Sequence, residues 1–293
     1  MMNRRRFLAG SVGLLLTAAC SRRESRVSVG TKNFTEQLVL GELLAQITEP
    51  RVHLPVERRF YLAGSYICHQ AILAGRIDTY IEYTGTALAA ILKEPVRSDP
   101  SEVFEIVRRE YERRFQLVVL PSLGFNNSFA LAMRGEDAHE KGLTKLSQLA
   151  AHAPTMRIGV GYEFLEREDG FQGLARIYGL QFAASPTVMD LGLIYRALQA
   201  KQVDIVVGSN TDGLIAALGL VVLEDDRHYF PPYDAVPIVR PEALREAAGM
   251  QAVFDALAGR ISTNDVRRMN YAVDGEKRDV VDVVRSFRES KGL

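Results

Sequence analysis

The chain has 293 residues, 47% of them hydrophobic and 25% charged, which is ordinary globular composition and excludes a disordered chain. Its 36 basic residues balance 36 acidic ones, so no overall field draws it to nucleic acid or to an acidic polymer. The length suffices for two α/β lobes or one large domain.

Residues 1–19 read as a targeting segment that takes no part in the fold. Arg4, Arg5 and Arg6 precede an apolar run over 7–19, shorter than the about 20 residues that a spanning helix needs. The start Arg4-Arg5-Arg6-Phe7-Leu8 resembles a twin-arginine export signal. Residues 16–20 resemble a lipoprotein signal with Cys20 as the acylated first mature residue, although Thr17 stands where an aliphatic residue is usual. Removing 1–19 leaves 33 basic against 36 acidic residues, a formal −3. Acylation at Cys20 would anchor the protein without a spanning helix. Cys68 is then left without a partner for an intramolecular disulfide, and the fold has to be held by its core.

After a polar tether over 20–26, Val27 and Val29 alternate with polar neighbours in a strand ending at Gly30. Asn33 and Glu36 then have the spacing of a capping box for a helix with Leu38, Leu40, Leu43, Leu44 and Ile47 on its apolar face. Lys32 lies in the turn between the two. A second strand is expected over 52–58 and a helix over 65–74, ended by Gly75. Residues 77–83 alternate as a strand, and Thr84-Gly85-Thr86 breaks it and opens a helix over 87–92. A strand that ends in Tyr83 beside a helix N-terminus is a common way to build a binding mouth in an α/β fold. A charged helix over 101–115 and a buried strand over 117–120 complete a βαβαβααβ order, which argues for an open, mostly parallel sheet with helices on both faces.

The stretch 124–133 changes character at Asn126 and Asn127, where a first crossing into another lobe is expected. A second α/β set follows: strands over 128–133, 156–160, 203–207 and 220–223, with helices over 146–151, 170–178, 190–200 and from Thr211. Pro231-Pro232 carries the chain back to a return strand over 235–239, and the last 50 residues are helical by pattern, with Ser262 or Thr263 as a cap. Two crossings imply lobe I over 27–127 and 232–293, lobe II over 128–231, and a cleft between them suited to a small molecule.

The residues of an enzyme site are not evident. Gly159-Val160-Gly161 lacks the third glycine of a dinucleotide fingerprint, no phosphate-loop motif occurs, and the histidines at 53, 69, 139, 152 and 228 have no metal-ligand spacing. Cys68 and His69 are helix neighbours whose side chains diverge by about 100°. Neither a cofactor nor a metal is expected.

Five motifs in order point elsewhere: KNFTEQ at 32–37, EYTGT at 82–86, RxDG at 167–170, TDG at 211–213 and FPPYDAVPIVR at 230–240. Together they resemble the substrate-binding proteins of ABC importers for osmoprotectants and other quaternary amines (glycine betaine, choline, carnitine). The resemblance runs from about Val27 to the C-terminus. It implies a two-lobed, type II-like periplasmic-binding-protein fold. The implied protein is an exported, monomeric, lipid-anchored one that delivers its ligand to a membrane permease and its ATPase. A quaternary ammonium has no proton to donate and is held by aromatic faces, each contributing about 0.5 to 2 kcal/mol when desolvated. The resemblance assigns Tyr83 and Tyr233 to such a box. Phe129 aligns with a third family tyrosine, and its own strand pattern equally suits a core residue. Ser209 falls near a fourth, where no ring is available, which favours weaker trimethylammonium binding or a bulkier ligand such as ergothioneine. A carboxylate at the ligand's other end suits Arg167, with Lys32 and Thr86 contributing from the first lobe. Arg167 is otherwise a local ion-pair partner of Glu163 or Asp169, Lys32 a solvated loop lysine, and Asp212 a helix cap. A ligand-binding sensor without a transport role is the alternative reading.

Overall fold

The computed structural model describes residues 26–293. The expected targeting segment and Cys20 lie outside the described residues.

Ten strands form two five-stranded sheets. The first contains β1 (Val27–Gly30), β2 (Val56–Arg59), β3 (Thr79–Tyr83), β4 (Val118–Val119) and β10 (Ala235–Val239), in the order β2-β1-β3-β10-β4. The second contains β5 (Phe129–Arg134), β6 (Ile158–Val160), β7 (Thr187–Val188), β8 (Ile205–Ser209) and β9 (Leu220–Val222), in the order β7-β6-β8-β5-β9. β1 pairs parallel with β2 and β3, and β6 parallel with β7 and β8. β10 runs antiparallel to β3 and β4, and β5 antiparallel to β8 and β9. Each sheet is therefore parallel apart from one strand, and that strand is the one entered directly after the chain changes sheets. The sequence pattern anticipated the mostly parallel order; the reversal follows from a strand that arrives from the far lobe. The two crossings run side by side: Asn126 bridges Asp234, and Asn127 N donates to Tyr233 O at 2.9 Å.

The central strands of each sheet are buried on both faces, the arrangement that helices on either side of a sheet impose. Along β5, Leu131 and Met133 join one cluster with Leu174 and Val207, whereas Ala132 joins another with Leu198 and Val206. Along β3, Ile81 and Tyr83 face the cluster of the helix Thr35–Thr48 and the C-terminal helices, while Tyr80 packs with Val107 and Tyr111 on the opposite side. The C-terminal helices Thr263–Asp274 and Val280–Lys291 pack on Thr35–Thr48, and Ser262 with Asp265 forms the cap expected there.

Three local expectations fail, each for an identifiable reason. The helix after Lys32 starts at Thr35 with no side-chain cap, because Asn33 reaches across to Asp190 and Glu36 turns into the interior. The helix expected over 190–200 begins at Ile194, since Asp190 Oδ1 accepts from Gly192 N at 2.8 Å and holds a turn first. Asp212 precedes the helix Gly213–Ala217 without capping it, its carboxylate being turned back to Ser209 and Tyr195.

Gly85 marks where the first lobe meets the returning chain. A Cβ there would lie 2.7 Å from Pro232 O and from Tyr233 ring atoms. Gly85→Ala is expected to cost about 1–3 kcal/mol through overpacking, although alanine favours the helix. A thermal denaturation midpoint equal to wild type would contradict that contact.

Candidate functional site

The lobes enclose a cavity of about 560 Å³, within the range of small-molecule pockets. All six residues expected from the sequence, Lys32, Tyr83, Thr86, Phe129, Arg167 and Tyr233, line it. β3 ends at Tyr83 and runs straight into the turn Thr84–Thr86, so one strand end delivers both Tyr83 and Thr86. Phe129 opens β5, and Tyr233 lies one residue before the Asp234 bridge. Both crossings therefore supply a ring.

Lys32 is buried, and its ammonium pairs with the Glu82 carboxylate of β3 while standing 4.5 Å from the centre of the Tyr83 ring. It is not a solvated loop lysine. The Tyr83 hydroxyl donates to Glu36 Oε1 at 2.5 Å and accepts from Gln37 Nε2 at 3.0 Å. Burial, reinforced by the neighbouring Glu36, pushes the Tyr83 phenol well above its ordinary value, so the ring is neutral.

Arg167 forms the ion pair with Asp169 that its sequence position allowed, and it lines the cavity as well. Nε donates to Asp169 Oδ1 at 2.8 Å, Nη2 pairs with Oδ2, and Nη1 donates to Thr86 Oγ1 at 3.1 Å. The Tyr233 hydroxyl donates to the same Asp169 at 2.7 Å. The guanidinium stands 5.1 Å from the Phe129 ring centre and 5.8 Å from that of Tyr233. Burial opposes its charge, but the adjacent Asp169 overrides this and raises its pKa. The three rings line the one cavity, with those of Phe129 and Tyr233 5.5 Å apart between centres. Lys32 and Arg167 each stand against a ring and carry a charge that a carboxylate matches.

Sequence reasoning missed the polar residues that tie the lobes together. Glu36 accepts from Tyr83, from Asn127 Nδ2 at 2.7 Å, from Thr211 and, at 3.4 Å, from Asn270 Nδ2. Burial raises its pKa, with those four donors partly offsetting the effect. Beyond β8, Asp212 Oδ2 accepts from Tyr195 Oη at 2.6 Å and from Ser209 N at 2.8 Å. Its pKa is pushed up to about 7 by burial, against the Tyr195 and Ser209 hydrogen bonds, with Glu36 and Asp274 adding to the rise. At the cleft margin Asn33 Nδ2 donates to Asp190 Oδ2 at 3.3 Å, and Tyr66 N to Glu163 Oε1 at 3.4 Å. The lobes are closed on the cavity. The available signal was an acid standing in an apolar helix or strand, as Glu36 and Glu82 do.

Two mixed α/β lobes joined by a pair of crossings, with a ligand-sized cavity between them, define a solute-binding protein of the periplasmic type. Residues 25–290 match the family described as "Substrate binding domain of ABC-type glycine betaine transport system", and the chain belongs to it. The resemblance drawn from the five motifs therefore holds. The family is a solute-binding component of transporters. Among curated relatives, the "Ergothioneine transport permease/ergothioneine binding protein EgtU" of Helicobacter pylori is 33% identical over 288 residues, covering 98% of this chain and 51% of that protein. The chain thus spans about half the length of that relative. The "Carnitine transport binding protein OpuCC" of Listeria monocytogenes is 31% identical, over 97% of this chain and 96% of its own. A solved "glycine betaine/carnitine/choline ABC transporter" structure superposes with a TM-score of 0.73 at 29% identity, covering 91% of this chain and 98% of that one. No helix among the described residues is long and apolar enough to cross a membrane.

Proposed function

We propose that the protein is the exported solute-binding component of an ABC importer and closes on a quaternary amine such as glycine betaine, choline or carnitine. Lobe I over 27–127 and 232–293 and lobe II over 128–231 contribute Lys32, Tyr83, Thr86 and Tyr233, and Phe129 and Arg167, respectively. The observation that carries this reading is the convergence of Tyr83, Phe129 and Tyr233 on one closed cavity between the sheets. A ligand that touches both lobes stabilises the closed form by its differential affinity, with no bond made or broken. The closed protein then engages a permease and its ATPase, held near them by an acylated Cys20.

The 560 Å³ cavity and Ser209 in place of a ring favour, as a second ligand, a betaine bulkier than glycine betaine. Ergothioneine, named for the Helicobacter relative, is one such molecule. Thermal unfolding of the mature protein with choline, glycine betaine, carnitine, proline betaine and ergothioneine tests both readings. A ligand at a hundred times its Kd adds about 2.7 kcal/mol. That corresponds to roughly 5–11 °C at this chain length. A melting temperature unmoved by all five ligands would reject the assignment.

A further inference from the structure

The charges around the cavity do not balance. Its two cations, Lys32 and Arg167, are matched by Glu82 and Asp169. The four acids that line it, Glu163, Asp190, Asp212 and Asp274, form no ion pair among the described residues. Two of them serve the closed cleft, Asp190 through Asn33 and Glu163 through Tyr66, and Asp274 Oδ1 takes the Thr35 hydroxyl. Asp212 is built differently. Its Oδ2 is fixed by Tyr195 and the Ser209 amide, while Oδ1 has no hydrogen-bond partner among the described residues and is not sealed from the cavity. Strand β8 makes room for this arrangement at Gly208, where a Cβ would fall 2.2 Å from Tyr195 Oη and 2.7 Å from Asp212 Oδ2.

Asp212 also lies three residues beyond Ser209, the position where a ring was expected and none exists. We infer that the Asp212 carboxylate is the counter-ion of the ligand's methylated ammonium, with Coulomb attraction standing in for the absent ring, and that the ligand's other end points toward Thr86 and Arg167. An unpaired carboxylate attracts a cation that cannot hydrogen-bond, as a ring face does. It also discriminates against an uncharged molecule of the same shape, which makes Asp212 a specificity-determining residue. The inference rests on the quaternary-amine reading above.

The ionised form of Asp212 is the one that binds. The groups facing it are Tyr195, Glu36 and Asp274, and no cation among the described residues pairs with it. With a ligand-free pKa of about 7, protons compete with a bound cation below neutrality. In calorimetric titrations of the mature protein with its tightest binder from the five-ligand screen, affinity is expected to fall about tenfold or more between about pH 8 and pH 5.5. Asp212→Asn keeps an oxygen for Tyr195 and Ser209, and should weaken binding at least about tenfold at the higher pH and flatten the pH profile. The same variant should raise the ligand-free melting temperature at the higher pH, because it removes an unpaired charge from the half-buried cavity wall. Tyr195→Phe removes a hydrogen bond that lowers the pKa, so the midpoint of its profile should move to higher pH; this decides the matter even if Asp212→Asn fails to fold. A flat wild-type profile, or wild-type affinity and profile in Asp212→Asn, overturns this inference and leaves the quaternary-amine reading standing. Failure of wild type to bind any of the five ligands overturns that reading, and the inference with it.

Discussion

Arg167→Ala is expected to abolish ligand binding and to lower the melting temperature by roughly 6–20 °C. Asp169 is fully buried and accepts from Arg167 through both oxygens, with Tyr233 as its only other side-chain donor among the described residues. Removing the guanidinium leaves an uncompensated carboxylate in the interior, and breaking a buried pair in this way costs about 3–5 kcal/mol. The same guanidinium bonds Thr86 across the cleft, so the closed form loses a contact that the open form does not make. Replacing both partners by apolar residues of similar size, Arg167→Met with Asp169→Leu, should recover most of the stability and none of the binding. Arg167→Lys should fall between the two, because an ammonium cannot reproduce two bonds to Asp169 and a third to Thr86. If the single alanine variant melted like wild type, the buried pair would not have the role assigned to it. If the double variant bound ligand, Arg167 would lie outside the site.

The main course of the chain was legible because it rests on local patterns. Alternation marks β3, the apolar run that resumes after Asn127 marks β5, Gly75 ends its helix at a positive φ, and Ser262 with Asp265 caps the helix that follows. The crossings were legible at Asn126–Asn127 and Pro231–Pro232, where apolar periodicity stops. Residues whose role is set by a partner distant in sequence were not legible. Glu36 has capping-box spacing from Asn33, yet its partners Asn127, Thr211 and Asn270 lie 91, 175 and 234 residues away. Those donors outweigh one backbone amide, and the local rule yields to tertiary structure. Asp212 misled in the same way: placed at a helix start it suggests a cap, and only the fold brings Tyr195 close enough to turn it round. β7 was missed because its two exposed residues carry no pattern. The six cavity residues were found through motifs of a known family, but the carboxylates that neutralise Lys32 and Arg167 depend on burial and distance.

Glu36→Gln is expected to destabilise the closed form more than the fold. The carboxylate gathers Tyr83 from the first sheet, Asn127 from a crossing, Thr211 from the segment after β8 and Asn270 from a C-terminal helix. An amide offers one oxygen, so two of these four donors lose their acceptor, at about 1–3 kcal/mol for each left buried and unsatisfied. Part of that loss is recovered, since Asn270 still donates to Thr211 O and Asn127 to Thr211 Oγ1, both at 2.9 Å. Opening the cleft parts Glu36 from Thr211, so the remaining deficit falls mainly on closure. Apparent affinity scales with the fraction of protein able to close. Ligand dissociation should therefore accelerate about tenfold, while association changes little. Stopped-flow displacement measures both rates, and small-angle scattering of the ligand-free variant should give a larger radius of gyration than wild type. The pH dependence has a definite sign. Burial raises the Glu36 pKa in the folded state, so its contribution to stability is present below the unfolded value of about 4.5 and is lost as pH rises through the raised pKa. The glutamine variant does not titrate at this position, and its stability deficit against wild type should be greatest in acid and shrink as pH rises. A deficit that grew with pH, or a dissociation rate equal to wild type, would show that the lobes are held together elsewhere.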